Sequence, residues 1–257
     1  MKLIGIPVST SKPQYYINQA YADYVSGAGM IPLLLTPSMN NEALEVIVNG
    51  CDGLLLPGGG DMEPTYYGED NIASYSVDLD KDNFERSLYD RFLKAAKPIF
   101  GICRGLQLIM REVLAENPKL EKNFTYFQHM NEHSIVNDLK IPRTVTSHSV
   151  NIKNSLYGKN NKGKDIIFVN SMHHQCVVMN KRLKIANDMV EVLATTDRGI
   201  SRKESVNFAV VEAIRLSNIA SDVMAVQWHP EELRDYALIQ NFFGVNKKDY
   251  KVKEAVK

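Results

Sequence analysis

A cysteine between two glycines is the residue of this sequence best suited to nucleophilic chemistry. Gly101-Ile102-Cys103-Arg104-Gly105 ends an apolar run and begins a stretch with helical spacing. Small neighbours permit the sharp strand-to-helix turn that lifts a nucleophile above a sheet, and the helix dipole there favours a thiolate. The backbone N–H of Arg104 would face the same space and could stabilise an oxyanion. The alternative is a buried core cysteine, which the glycine pair taken alone would favour, and the apolar run before Cys103 balances the two interpretations.

A second polar segment, His229-Pro230-Glu231, follows a strand-like run that ends at Trp228. Pro230 favours an extended backbone at His229, and side chains two apart in extended chain point to the same side. His229 could then be the base for Cys103, with Glu231 setting the tautomer of its imidazole. Taken alone, the segment is more often a surface loop whose glutamate caps a helix. Combined with the cysteine, it predicts a triad of Cys103, His229 and Glu231.

Three glycines, Gly58 to Gly60, come directly after the apolar run Gly53–Leu56. Glycines let backbone N–H groups approach a ligand closely, so this turn is a candidate for the other half of an oxyanion hole. A phosphate loop is disfavoured because no Lys-Ser or Lys-Thr pair follows the glycines. A tight turn without a ligand is the competing interpretation.

The segment from Asn170 to Cys176 places two histidines and a cysteine close together in sequence. Their spacing matches no common zinc pattern, so substrate binding or a hydrogen-bonded turn is the favoured interpretation. We expect no metal site and no cofactor, because a thiolate and a histidine suffice for acyl transfer. The remaining cysteines, Cys51 and Cys176, are interpreted as packing residues. The remaining histidines, His129, His133 and His148, are interpreted as surface residues.

The first half of the chain alternates short apolar runs with helical patterns. Strands that are apolar on both faces are typical of a parallel sheet covered by helices. The pattern predicts an α/β fold with a doubly wound, mostly parallel central sheet flanked by helices. The predicted strands are 3–8, 31–35, 53–56 and 98–102, and the predicted helices are 15–28, 41–49 (capped by Asn40 or Asn41) and 80–96.

The second half is less regular and predicts an additional antiparallel strand region beside the main sheet. The predicted strands are 145–153, 166–170, 183–186, 190–196, 207–214 and 223–228, and a closing helix is predicted over 235–243. Because no linker or repeat interrupts the chain, we expect one domain over residues 1–246. The charged tail, 247–257, has no clear apolar face and is expected to fray.

Composition restricts the class of protein. A chain of 257 residues with 44% apolar residues can bury a sizeable core. Lys plus Arg and Asp plus Glu are 30 each, which argues against nucleic-acid or membrane partners. Three widely spaced cysteines favour a reducing compartment, and no signal-peptide or membrane-spanning run is visible. We therefore expect a cytoplasmic protein with a small-molecule partner, and a homodimer is compatible with the sequence.

Jointly, these motifs resemble the class I glutamine amidotransferases. The resemblance rests on Gly-Ile-Cys-Arg-Gly-Leu-Gln around Cys103 and on Gln227-Trp228-His229-Pro230-Glu231, and it covers roughly residues 1–245. Three segments are similar to the γ-glutamyl hydrolases within that family, which include enzymes that cleave γ-glutamyl-γ-aminobutyrate in putrescine breakdown. These segments are the run Pro57-Gly-Gly-Gly-Asp-Met-Glu-Pro64 continuing to Tyr67-Gly68-Glu69, then Cys103-Arg104-Gly105, and then Asn170-Ser-Met-His-His-Gln175.

The resemblance implies a flavodoxin-like fold and cleavage of a γ-glutamyl amide through a γ-glutamyl thioester. Cys103 would attack the γ-carbonyl, and His229, oriented by Glu231, would act as base and then as acid. The backbone N–H groups of Arg104 and of Gly59 or Gly60 would hold the oxyanion. The residues that would bind the glutamyl amino and carboxylate groups are Gln107, Ser171, Met172 and His173.

The chain departs from the hydrolase pattern after the cysteine. Residues 108–118 lack the usual Asn and Gly-Gly turn, and residues 119–143 match poorly, so the leaving amine stays open. Two rival functions also stay open: a glutaminase subunit that supplies ammonia to a synthetase partner, and a non-catalytic binding protein on the same scaffold. A cysteine peptidase that cleaves α-linked peptides is a third.

Overall fold

The computed structural model describes residues 1–134, 138–153, 155–157, 165–183, 189–217 and 219–245. Its helices are α1 (Gln19–Gly27), α2 (Asn41–Gly50), α3 (Leu79–Lys94), α4 (Arg104–Glu116) and α5 (Tyr236–Phe243). Its strands are β1 (Leu3–Pro7), β2 (Ser9–Ser11), β3 (Gln14–Tyr16), β4 (Ile31–Leu35), β5 (Gly53–Leu56), β6 (Ile99–Ile102), β7 (Phe124–Phe127), β8 (His148–Ile152), β9 (Ile166–Val169), β10 (Cys176–Asn180), β11 (Val190–Thr196), β12 (Phe208–Leu216) and β13 (Val223–Val226). Among these described helices, none is long and apolar enough to span a membrane.

One mixed sheet of eleven strands organises the described chain, in the order β4-β1-β5-β6-β13-β12-β11-β8-β9, with β10 pairing to β12 and β7. The strands from β4 to β13 are parallel, and every pairing beyond β13 is antiparallel. A separate hairpin joins β2 and β3. The predicted fold class, a parallel sheet with an added antiparallel region, is confirmed.

Helices cover both faces of the parallel half, as the apolar strands require. Side chains alternate along a strand, so Leu54 and Leu56 pack into one core with α2, α3 and α4, while Leu55 packs into the other with α1 and α5. This arrangement leaves the carboxyl ends of β5, β6 and β13 at one edge of the sheet. In open parallel sheets that edge is where ligands bind.

Several element predictions need correction. Helix α1 begins at Gln19, because the Asn18 side chain accepts a hydrogen bond from the N–H of Ala20 and caps the helix there. Residues 15 and 16, predicted as the start of that helix, belong to strand β3 instead. Strands β7 and β10 were not predicted at all. The predicted strand 183–186 falls mostly, and the predicted tail entirely, outside the described residues.

Candidate active site

Cys103 lies at the corner between β6 and α4, as the glycine pair predicts. Its φ of 53° and ψ of −106° are unusual for a residue with a side chain and cost about 1–3 kcal/mol. The two glycines are required by packing: a Cβ on Gly105 would lie 2.4 Å from the carbonyl oxygen of Leu56, and one on Gly101 would lie 2.8 Å from Ile109. The N–H of Cys103 donates to the carbonyl of Val226 at 2.8 Å, which holds the corner against β13.

His229 and Glu231 follow the neighbouring strand β13 and are both buried. Nδ1 of His229 lies 2.6 Å from Oε1 of Glu231, so the ring presents its other nitrogen to Cys103, with which it also hydrogen-bonds. Asn170 fixes the histidine backbone: its Oδ1 accepts from the N–H of His229 at 3.0 Å, and its Nδ2 donates to the carbonyl at 3.1 Å.

The charged form of His229 is favoured. Burial opposes a charge on the ring, but the Glu231 carboxylate and the Cys103 thiolate outweigh burial and raise the pKa of His229 from 6.5 to about 10. A charged imidazole beside the cysteine stabilises the thiolate, which is the reactive form. A charged His229 imidazole is therefore favoured beside Cys103, with the Glu231 carboxylate orienting the ring.

Cys103 and His229 line a cavity of about 450 Å³, and Glu231 lies behind the histidine. Most of the predicted binding residues line the same cavity, namely Gly59, Gly60, Arg104, Gln107, Met172 and His173. Ser171 does not. Its buried hydroxyl donates to the carbonyl of His133 at 2.6 Å, so it holds the cavity wall from behind.

The glycine turn contacts the cysteine and the histidine directly. A Cβ on Gly58 would lie 3.1 Å from Cε1 of His229 and 3.5 Å from Cβ of Cys103. The N–H of Gly58 is already used, since it donates to the hydroxyl of Tyr21 at 2.8 Å. Gly59 and Gly60 are also closely packed. A Cβ on Gly59 would lie 2.4 Å from Nζ of Lys81, and a Cβ on Gly60 would lie 2.2 Å from the carbonyl oxygen of Ser76.

The Arg104 side chain is held by two buried carboxylates. Its guanidinium pairs with Asp82 and Glu85, both on α3. Burial opposes the charge of Arg104, but the two carboxylates prevail and raise its pKa. The guanidinium is thus fixed, and the group of Arg104 suited to an oxyanion is its backbone N–H, which in the first turn of α4 has no acceptor within the helix.

The side chains of Gln107 and His173 belong to a hydrogen-bonded wall. Nε2 of Gln107 donates to the carbonyl of Gln175 at 3.0 Å and to Oε1 of Gln227 at 3.3 Å. Nδ1 of His173 lies 2.8 Å from the same Gln175 carbonyl, so it carries the ring hydrogen. Burial lowers the pKa of His173 well below its usual value, and its Nε2 has no hydrogen-bond partner among the described residues. His173 is therefore a neutral ring in the cavity wall, and its Nε2 is itself buried.

The family model described as peptidase C26 matches residues 3–231. The chain belongs to the peptidase C26 family.

Relatives of this C26 chain carry amidotransferase-like and hydrolase names. A glutamine amidotransferase-like protein of Rickettsia prowazekii is 28% identical, covering 90% of this chain and 88% of that protein. The γ-glutamyl-γ-aminobutyrate hydrolase PuuD of Escherichia coli K12 is 27% identical, covering 88% and 83%. The glutaminase domain of Trypanosoma brucei CTPS, solved with bound acivicin, superimposes with a TM-score of 0.61 over 96% of this chain and 95% of that one, at 14% identity. Family and relatives together support a hydrolase or an amidotransferase.

The side chains of this C26 site that were not predicted as site residues include Gln227, Asn170, Tyr21 and Lys81. Gln227, whose Nε2 lies 3.5 Å from the Cys103 sulfur, lies two residues before His229, within the run Gln227–Glu231 that carries the family resemblance. Asn170 likewise lies within a segment of the resemblance, Asn170–Gln175. Tyr21 and Lys81 had no local motif, since they reach Gly58 from helices α1 and α3. Only the fold brings them to the turn.

Proposed function

We propose that this C26 chain hydrolyses the amide bond of a small γ-glutamyl compound, with Cys103 as nucleophile. The observation that carries the proposal is the arrangement of a strained, cavity-lining cysteine hydrogen-bonded to a buried His229, which in turn lies 2.6 Å from Glu231. A thiol, a base and an orienting carboxylate in this order are the parts that covalent acyl transfer requires.

The reaction proceeds in two halves. In the first, the Cys103 thiolate attacks the γ-carbonyl carbon, and the negative charge moves to the carbonyl oxygen. Backbone N–H groups of Arg104 and of Gly59 or Gly60 stabilise this oxyanion. The C–N bond then breaks as the free ring nitrogen of His229 gives its proton to the departing amine, which leaves a γ-glutamyl thioester on the sulfur.

In the second half, His229 takes a proton from water as that water attacks the thioester carbonyl. The C–S bond breaks, glutamate leaves, and the thiolate and the imidazolium are restored. Glu231 holds the ring and stabilises its charge throughout. The reaction consumes only the amide substrate and one water molecule.

The glutamyl end and the amine end of the substrate would meet different walls. Gln107 and His173 lie on one wall and suit the polar glutamyl group. Arg143 also lines the cavity, and its guanidinium pairs with Glu232, a residue adjacent to the triad glutamate. Arg143 ends the stretch in which the sequence departs from the hydrolase pattern, so it is a candidate contact for the leaving amine.

The test is a panel of γ-glutamyl amides, read out as free glutamate. The panel holds glutamine, γ-glutamyl-γ-aminobutyrate, other γ-glutamyl amines and polyglutamate, and each is assayed with wild type, Cys103→Ala and the control Cys51→Ala. We expect one amide to be turned over well above glutamine, with no turnover by Cys103→Ala and normal turnover by Cys51→Ala. No release of glutamate from any amide of the panel would refute the proposed hydrolase function.

A glutaminase subunit is the second candidate, because relatives of this chain carry glutamine amidotransferase-like names. It would hydrolyse glutamine slowly alone and faster when a synthetase partner is added. If glutamine is the best substrate of the panel, this function replaces the first, although the Cys103 chemistry stays the same.

A further inference from the structure

We propose that His133, His148 and Glu212 form a site for a divalent transition-metal ion. Zn²⁺ is the ion with which the site is tested. The three side chains are buried, and one ligand atom from each lies within 4.8 Å of the others. Two imidazoles and one carboxylate are a known zinc donor set. The site is separate from Cys103, and the proposal does not depend on the proposed function.

The cluster is assembled by the sheet rather than by a local motif. Glu212 is on β12 and His148 is on β8, and these strands flank β11, so the two side chains meet across it. Nε2 of His148 lies 2.9 Å from Oε1 of Glu212, and Nδ1 of His133 lies 3.8 Å from the same oxygen. Donor atoms around a tetrahedral zinc lie about 3.3 Å apart, so small side-chain rotations suffice.

The far side of each imidazole is held as in metal sites, where the second ring nitrogen has its own partner. Nε2 of His133 lies 3.0 Å from the carbonyl oxygen of Arg198, which can only accept, so this nitrogen carries the hydrogen. Nδ1 of a neutral ring then has its lone pair on the side of Glu212. Ser171 lies 3.4 Å from that nitrogen, but its hydroxyl hydrogen points to the His133 carbonyl, 2.6 Å away.

Ser147 makes the second imidazole adaptable. Its hydroxyl lies 3.2 Å from Nδ1 of His148 and 3.4 Å from the carbonyl of Val169. Without metal, the hydroxyl can donate to Nδ1 while Nε2–H donates to Glu212. With metal, the Ser147 hydroxyl donates to the carbonyl of Val169, and its oxygen accepts from Nδ1–H of His148. The lone pair of Nε2 of His148 is then free to bind the ion. The change is a tautomer shift, so no proton has to leave the buried site.

Glu212 supplies the observation that most needs a ligand. Its side chain has no exposed surface, and its Oε2 has no hydrogen-bond partner among the described residues. An unpartnered carboxylate oxygen at such a depth is costly, and a cation beside it would remove the cost. An entry route exists, because His148 also lines a separate surface cavity with Thr196 and Arg198.

A bound ion would brace the wall of the active-site cavity from behind. The carbonyl of His133 accepts from the hydroxyl of Ser171 at 2.6 Å and from the N–H of His173 at 3.3 Å. His173 lines the cavity, so fixing His133 fixes the position of that wall. The ion is inferred to stabilise the fold and to leave the cysteine chemistry unchanged.

The test is zinc binding by the whole, untagged chain in a Cys103→Ala background, which removes the thiolate that could bind zinc beside His229. The protein is stripped with a chelator, titrated with Zn²⁺ against a chromophoric competitor, and melted with and without the metal. We expect one equivalent of zinc and a higher Tm. Glu212→Gln and His148→Gln should weaken binding more than about 100-fold and Ser147→Ala about 10-fold, while the exposed control His129→Gln should bind normally.

Two results would overturn the proposal: no uptake of zinc, or equal uptake by the Glu212→Gln protein. If both ligand variants fail to fold, X-ray absorption at the zinc edge of the Cys103→Ala protein decides instead. Two imidazoles and one carboxylate around the ion support the site. A sulfur ligand, or a shell of water alone, rejects it.

Discussion

The molecule holds two buried histidine–glutamate pairs that look alike and differ in what faces them. In the pair His229–Glu231, Nδ1 lies 2.6 Å from the carboxylate, and the free ring nitrogen faces a thiol at the cavity. In the pair His148–Glu212, Nε2 lies 2.9 Å from the carboxylate, which also faces a second imidazole inside the antiparallel half of the sheet. The 170–176 segment connects them, because Asn170 holds the backbone of His229 and Ser171 holds that of His133.

The comparison indicates that the chemistry of a buried histidine–glutamate pair depends on the group that faces it, which is a thiol in one pair and a second imidazole in the other. A carboxylate that orients an imidazole toward a thiol makes a base, and the cavity gives that base a substrate. A carboxylate shared between two imidazoles makes a donor set for a cation. Substitution of Glu231 should therefore lower turnover, whereas substitution of Glu212 should lower the stability of the fold.

The largest effect is expected at the pair His229–Glu231, to which we assign the catalytic role. Glu231→Gln keeps the size of the side chain but removes the charge that sets the His229 tautomer, so kcat should fall about 10³–10⁴-fold. Steady-state kinetics on the best amide of the panel measures this. The neighbouring Glu232→Gln, which alters the ion pair with Arg143 and the hydrogen bond from Asn18, is the matched control and should change kcat less than about tenfold. Equal losses in the two variants would remove Glu231 from the triad.

A smaller effect, on stability, is expected at the second pair. Glu212→Gln leaves His148 and His133 without their carboxylate, so the free energy of unfolding of the metal-free protein should fall by about 1–3 kcal/mol. Its kcat should stay within about tenfold of wild type. Urea denaturation followed by circular dichroism measures the first quantity. The control is Glu191→Gln at a part-exposed pair with Lys153, where a loss below about 0.5 kcal/mol is expected. A normal stability combined with lost turnover would show that the pair is catalytic.

The smallest effect is a pH dependence specific to the catalytic pair. Since the folded pKa of His229 is raised from 6.5 to about 10, the folded state binds the proton more tightly than the unfolded chain. The resulting stabilisation is complete below about pH 6.5 and is lost as the pH rises toward about 10. The Tm difference between wild type and His229→Gln should therefore shrink by more than about 3 °C from pH 6 to pH 10. A constant difference would contradict the charged imidazole.

The sequence was sufficient where the parts of the site are local. Cys103 and its glycines come from one strand–turn–helix segment, and His229 and Glu231 are two residues apart in extended chain. The parallel half of the sheet was equally readable, since Ile31–Leu35 and Gly53–Leu56 have the predicted bounds. In such regions, periodicity and turn chemistry agree with the tertiary structure.

The sequence was insufficient where contacts are non-local. His133 and His148, predicted to be surface residues, are both buried, because the antiparallel strands bring them to Glu212 from distant parts of the chain. Tyr21 and Lys81 reach the glycine turn only through helix packing. Ser171, which the resemblance implies as a substrate contact, faces His133 instead. These errors share one cause: contacts between distant parts of the chain depend on strand order and helix packing, which residue types alone do not specify.

The central claim is that Cys103 carries the acyl group. The most direct measurement is rapid acid quenching during turnover of the best panel amide, followed by peptide mass spectrometry. We expect a γ-glutamyl adduct on the peptide that contains Cys103, a longer-lived adduct at low pH, and none in Cys103→Ala. Glutamate release without any adduct on Cys103, or an adduct confined to another residue, would contradict the account.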